Sequence, residues 1–178
     1  MDLNNILSIS GRSGLFMLKT QTSHGIVATS IIDEKRIVTS ANQQISMLSE
    51  IQIYCIGKET PLSDVFKKML VFEKGCKTTI KPKSRSIDLE KYFFNILNDY
   101  DKDRVYPGDI KKIIRWYNIL VDKGKIKLVK SKIDLIKIDI NGFEFKVVKS
   151  LINQIKKDKP VLIIENNSSL NDIYKLIK

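Results

Sequence analysis

Gly25-Ile26-Val27-Ala28-Thr29-Ser30-Ile31-Ile32, then Asp33-Glu34-Lys35-Arg36, then Ile37-Val38-Thr39-Ser40 reads as a strand, a polar turn and a second strand. β-branched residues dominate both runs and the link is short, which is the pattern of a hairpin. Upstream, Gly14-Leu15-Phe16-Met17-Leu18-Lys19-Thr20 has the same texture, and downstream Ile51-Gln52-Ile53-Tyr54-Cys55-Ile56 alternates with period two. Four or five short strands on tight links predict an antiparallel β-meander or small barrel over residues 1–58. Ile45-Ser46-Met47-Leu48 supports at most one helical turn.

The texture changes at Pro61. Leu62, Val65, Phe66, Met69 and Leu70 recur at helical spacing, so 61–72 is predicted as an amphipathic helix with proline in its first turn. A basic connection with Gly75 and Pro82 leads to Ser86, a cap for a second helix carrying Ile87, Leu89, Tyr92, Phe93, Ile96 and Leu97. A third helix follows Pro107, with Ile110, Ile113, Ile114, Tyr117, Leu120 and Val121 on one side and Lys123-Gly124-Lys125 as its stop. These three make a helical subdomain, 59–126. Beyond it, Leu135–Ile140 is a predicted strand, Phe143–Lys157 a helix, Pro160–Glu165 an apolar strand and 168–178 a last helix. The apolar run suits a sheet covered on both faces. Residues 132–178 thus read as one βαβα unit with a short parallel sheet, Leu135–Ile140 beside Val161–Ile164. The class is α+β.

The 178 residues hold 31 Lys+Arg against 20 Asp+Glu, a formal charge of +11. A basic chain suggests a nucleic acid or another anionic partner. Yet 26 of the cations are Lys, beside 28 Ile and 11 Asn, which is also what an AT-rich coding sequence yields. Residues 1–60 are net neutral; the excess lies in the middle and the end. No apolar run is long enough for a membrane span. Met1-Asp2-Leu3-Asn4-Asn5 has an acid where a signal peptide needs cations, so a cytoplasmic setting and no membrane partner are expected. Two cysteines and one histidine exclude a disulfide framework and a Cys/His zinc site.

Several residue groups carry candidate chemistry. Asp99, Asp101 and Asp103 open like a calcium loop, but Arg104 stands where the turn needs glycine and Ile110 where a bidentate acid is needed, so they read as turn residues. Ser10-Gly11-Arg12-Ser13-Gly14 can form a nest of backbone N–H groups for an anion, but it precedes a strand and lacks the ending of a P-loop. His24 lies in a polar turn with no nucleophile at catalytic spacing. Cys55 reads as a small core residue and Cys76 as an exposed one with nothing to activate it. Lys81, Lys83 and Arg85 form one basic cluster, and Lys111, Lys112 and Arg115 with Trp116 another on a helix. Cations beside an aromatic suit phosphate contact with base stacking, and the same pattern suits a solvated helix face whose tryptophan covers the core.

Two resemblances follow from longer stretches. Ser8-Ile9-Ser10-Gly11-Arg12-Ser13-Gly14-Leu15-Phe16, Leu18–Thr22, Val65-Phe66 after Pro61-Leu62, Tyr100–Tyr106, and Asp109–Ile113 with Trp116-Tyr117-Asn118 resemble an uncharacterised bacterial domain family over about residues 1–126. The resemblance implies a β part followed by a helical part and no particular activity. The departure is Pro107-Gly108, where a serine-type cap would precede Asp109. Ile133-Asp134-Leu135-Ile136-Lys137-Ile138-Asp139-Ile140-Asn141-Gly142-Phe143-Glu144, Val148-Lys149 and Lys159–Glu165 resemble the last third of FkbM-type methyltransferases. That resemblance implies a Rossmann-like unit that uses S-adenosylmethionine, with Asp139 and Glu144 toward the cofactor, and Asn141 where the family has an acid. No strand, glycine-rich turn and helix precede residue 132 to hold the cofactor. The expectation is therefore a binding or interaction module, not an enzyme and without a cofactor, bearing a methyltransferase-like remnant that a fused or truncated frame would produce. The alternative is an S-adenosylmethionine-dependent methyltransferase incomplete in this chain. Expected partners are a nucleic acid or a protein, or a second copy paired through the C-terminal strand edges.

Overall fold

The computed structural model describes residues 3–40, 43–128, 133–164 and 170–177. The predicted strand end at Glu165 and the start of the last helix at Ser168-Ser169 lie outside these. The chain divides into two compact units, Met1–Leu128 and Val129–Lys178.

The first unit opens with β1 (Ile6–Ile9), β2 (Phe16–Thr22), β3 (Gly25–Ser30), β4 (Arg36–Ser40) and β5 (Ile45–Met47). These form one antiparallel sheet in the order β4-β3-β2-β1-β5. A short 3-10 turn (Leu48–Glu50) leads to a hairpin, β6 (Gln52–Cys55) and β7 (Lys58–Pro61). The sheet is not closed, so the barrel is corrected to an open meander: its outer strands pair with β3 and β1, not with each other. β5 is only three residues long and β6 starts a separate two-stranded sheet. β1 and β7 escaped the sequence reading because both are short, and β7 ends in Pro61, which stands at the cap of the first helix and not, as expected, in its first turn.

Period-two alternation gives this sheet two apolar faces. Ile6, Leu15 and Met17 join the main core, whereas Leu7, Ile9, Phe16 and Leu18 join a smaller cluster with Ile26 and Ala28. Three helices complete the main core: α1 (Leu62–Phe72), α2 (Ser86–Ile96) and α3 (Pro107–Asp122). Phe66, Phe93 and Tyr117 are its largest fully enclosed side chains. Sheet and helices therefore share one hydrophobic interior. Ser86 is the first helical residue of α2, where Arg85 occupies the cap position, and Ile87 points to solvent. The carboxylate of Asp109 accepts from Tyr106 N–H at 3.3 Å, which closes the start of α3 in place of a serine cap.

The second unit contains β8 (Leu135–Ile138), α4 (Glu144–Asp158), β9 (Val161–Ile164) and α5 (Leu170–Ile177). β8 and β9 pair in parallel, Leu135 opposite Val161 and Ile138 opposite Ile164, as expected. Ile138, Val148, Ile155 and Ile173 form its buried centre. Coverage is one-sided: Leu135, Val161 and Ile163 are exposed. The unbroken apolar run of β9 thus does not mean two covered faces. Among the described residues, no helix is long and apolar enough to cross a membrane.

Candidate functional site

α3 is the organising element of the first unit. Its inner side, Ile110, Ile113, Ile114, Tyr117 and Leu120, is buried, which fixes the direction of Lys112, Arg115 and Trp116. The connection after α1 is strapped to the same helix. Thr78 N–H donates to Asn118 Oδ1 at 2.8 Å, and Asn118 Nδ2 donates to the Thr78 hydroxyl at 2.9 Å. The Tyr117 hydroxyl donates to the Cys76 carbonyl at 2.8 Å, and Lys77 pairs with Asp122 at 2.6 Å. At the root of this strap, buried Glu73 accepts from Thr79 N–H, the Thr79 hydroxyl and the Tyr92 hydroxyl.

Pro82, carried by that strap, faces a cleft of about 680 Å³. Its other walls are the loop Ser10–Gly14 and the side chains of Lys112, Arg115 and Trp116. Ser10 is anchored on both sides: its N–H donates to the Gln44 carbonyl at 3.0 Å and its carbonyl accepts from Gln43 Nε2 at 2.7 Å. Gly14 has a φ of 97°, and a Cβ there would meet Ile32 at 3.0 Å, so glycine lets the loop close onto the sheet. Lys123 Nζ donates to the Ile32 carbonyl at 2.8 Å and fixes that wall to the end of α3.

None of the described residues lining the cleft is acidic. Lys112 Nζ lies 3.3 Å from Asp109, whereas Arg12 and Arg115 have no ion-pair partner among the described residues. The fold thus joins two features that the sequence showed only separately, the glycine loop and the Lys112-Arg115-Trp116 group. Lys81 and Lys83 are exposed on either side of Pro82. Arg85 is engaged elsewhere: its guanidinium donates to Asp88 at 2.9 and 3.3 Å, and that contact holds the Asp88 carboxyl below its usual range. Lys111 is half-buried and does not line the cleft. Arg12 and Asn118 are the participants that sequence reasoning left out. Arg12 was legible inside the glycine loop, but nothing local tied it to a helix more than a hundred residues away.

The other candidates fall into structural places. Asp99 pairs with Lys58 at 2.8 Å, and Asp101 Oδ1 accepts from Asp103 N–H at 2.9 Å, so these acids shape a turn. Among the described residues no cluster of His, Cys, Asp and Glu could hold a metal. Cys55 is buried and Cys76 exposed. In the second unit Asp139 pairs with Lys137 at 3.2 Å. Glu144 is 1% exposed, and its Oε1 accepts from Gly142 N–H at 3.2 Å across the turn before α4.

An open meander, a hairpin and three helices around one interior define an α+β domain class, here with a small parallel βαβα unit besides. Residues 3–48 match the Domain of unknown function (DUF5606), residues 51–120 match the Domain of unknown function (DUF6852), and residues 98–177 match the Methyltransferase FkbM domain. A solution NMR structure from Bacteroides vulgatus, a target of the Northeast Structural Genomics Consortium, is 36% identical with a TM-score of 0.62, over 71% of this chain and 91% of that one. The chain belongs to the family of that Bacteroides vulgatus protein. No curated protein matches it.

Proposed function

We propose that the first unit is a non-enzymatic binding module that holds the sugar-phosphate backbone of a single-stranded nucleic acid in the cleft between the Ser10–Gly14 loop and α3. One observation carries this reading: Arg12 and Arg115, without an ion-pair partner among the described residues, face the same cleft as Trp116, and none of the described residues lining it is acidic. Guanidinium groups are suited to phosphate, and the backbone N–H groups of a glycine loop add a neutral anion cradle. A strand that is single offers both its phosphates and its base faces to such a groove.

Fluorescence anisotropy of mixed-sequence single-stranded RNA and DNA over a salt series tests it. Three cations, Arg12, Lys112 and Arg115, give a slope of about −2 in log K against log salt, at ~0.7 per phosphate contacted. Arg12→Glu and Arg115→Glu each weaken binding at low salt. A flat salt response, or no binding at low salt, overturns the proposal.

The match to the Methyltransferase FkbM domain favours one second reading, an incomplete enzyme for S-adenosylmethionine. The residues present do not fit that cofactor. Gly142 is the single glycine of residues 129–178, so the unit has no glycine-rich turn for close backbone approach. Glu144 is enclosed and bonded to the turn it belongs to. Titration calorimetry with S-adenosylmethionine decides: a blank titration removes the second reading, and saturable heat restores it.

A further inference from the structure

Beside the cationic cleft lies a second hollow of about 260 Å³, and the two share a wall. Lys112 and Trp116, one helical turn apart on α3, line both. The second hollow differs in character. Ile51, Ile53, Val105 and Ile113 line it beside Asp109, which is paired with Lys112 at 3.3 Å, and the guanidinium of Arg104 lies 3.3 Å from the centre of the Tyr54 ring. It is smaller than the ~300 Å³ at which drug-sized pockets begin, which suits a single flat heterocycle.

We infer that this slot takes one unpaired nucleobase of the strand whose phosphates lie in the cleft, stacked against Trp116 and edged by Arg104 and Tyr54. The inference rests on the single-stranded nucleic acid reading above and names the contact that separates a base-bearing polymer from any other polyanion. Charge complementarity sets the direction of the strand across the ridge. Phosphate goes to the side of Arg12 and Arg115, and the base goes to the side where apolar wall and aromatic rings dominate, Arg104 lies over Tyr54 and Lys112 is paired with Asp109. Base-on-aromatic stacking tolerates any base, so the slot adds affinity with little sequence preference.

Trp116 is the single tryptophan of the chain and lines both hollows, so its emission reports on binding along this ridge, and the comparison of two strands isolates the slot. The full chain is titrated with a uridine dodecamer and with an abasic dodecamer of the same sugar-phosphate backbone. The uridine strand is expected to bind at least about fivefold more tightly, the low end for one stacked base, and to quench the Trp116 emission. The abasic strand binds through the cleft, more weakly and with less quenching. Arg104→Ala and Tyr54→Ala narrow the ratio between uridine and abasic affinity. Equal affinity for the two strands, without quenching by uridine, overturns the slot while the phosphate cleft stands. Failure of both strands to bind overturns both.

Discussion

The hydroxyl of Tyr92, on α2, donates a 2.7 Å hydrogen bond to the Oε1 of Glu73 at the end of α1. Both residues are more than nine-tenths buried, and the same oxygen also takes the N–H and hydroxyl of Thr79. One acceptor therefore satisfies three donors and roots the strap that carries Pro82 to the cleft.

Removing that acceptor leaves the buried Tyr92 hydroxyl without a partner, which costs ~1–3 kcal/mol, whereas Thr79 is exposed and its donors can turn to water. Glu73→Ala is expected to lower unfolding free energy by about 2 kcal/mol, and Tyr92→Phe by about 1 kcal/mol. Urea titrations followed by circular dichroism measure both. Equal midpoints for Glu73→Ala and the parent would show that the strap is held without Glu73.

Burial, reinforced by Glu73, pushes the Tyr117 hydroxyl up to about 12 from an ordinary value of 10.0. The folded state keeps this proton at a pH where the unfolded chain has lost it. The corresponding stability is complete below pH ~10 and is lost as pH rises toward 12. Thermal midpoints should fall across that window, and Tyr117→Phe should flatten the fall while lowering the midpoint at neutral pH. An unchanged alkaline slope in Tyr117→Phe would assign the loss to other groups, Tyr92 first, whose hydroxyl is also raised by burial.

Gly25 begins β3 with a φ of 149°, and a Cβ there would lie 1.8 Å from the Thr39 carbonyl oxygen on β4. Gly25→Ala must separate the two strands locally and is expected to cost well over the ~1 kcal/mol of an unfavourable backbone angle alone. Gly57→Ala is the control, because its φ is 75° but nothing lies within 4 Å of its Cβ position. A thermal shift for Gly25→Ala no larger than for Gly57→Ala would disprove the overlap.

In the second unit, Asp158 accepts from Ile133 N–H at 3.1 Å and from Gln154. These bonds, the first chiefly, hold its carboxyl below the usual 3.8. That stabilisation is present above pH ~4 and disappears as pH falls through the lowered value. Amide protection factors at Val148 and Ile155, corrected for the intrinsic rate at each pH, should fall below pH 4 in the parent, and Asp158→Asn should show lower protection already at neutral pH. Identical protection in the two proteins at neutral pH would remove Asp158 from the account.

The class and the element order were legible because the periodicities are strong. Val27 to Ser40 alternates as a hairpin must, and Leu62 to Leu70 recurs as a helix must. The closure of the sheet was not legible, because alternation tells which face a residue takes and not which edge strand finds a partner. Coverage of β9 was misread for a related reason. A run such as Val161-Leu162-Ile163-Ile164 records hydrophobicity on both faces, whether or not anything packs on the second. The site was half legible: Lys112, Arg115 and Trp116 stood out by type and spacing, but their meeting with Arg12 is a tertiary fact that the order of strands decides.

The last buried member of the main core is Ile126, and Leu128 packs against it where the first unit ends. Among the described residues, every enclosed side chain of that interior is thus encoded upstream of codon 129. A recombination breakpoint just after Leu128 leaves every described residue of the cleft, the slot and the strap encoded on one side of it.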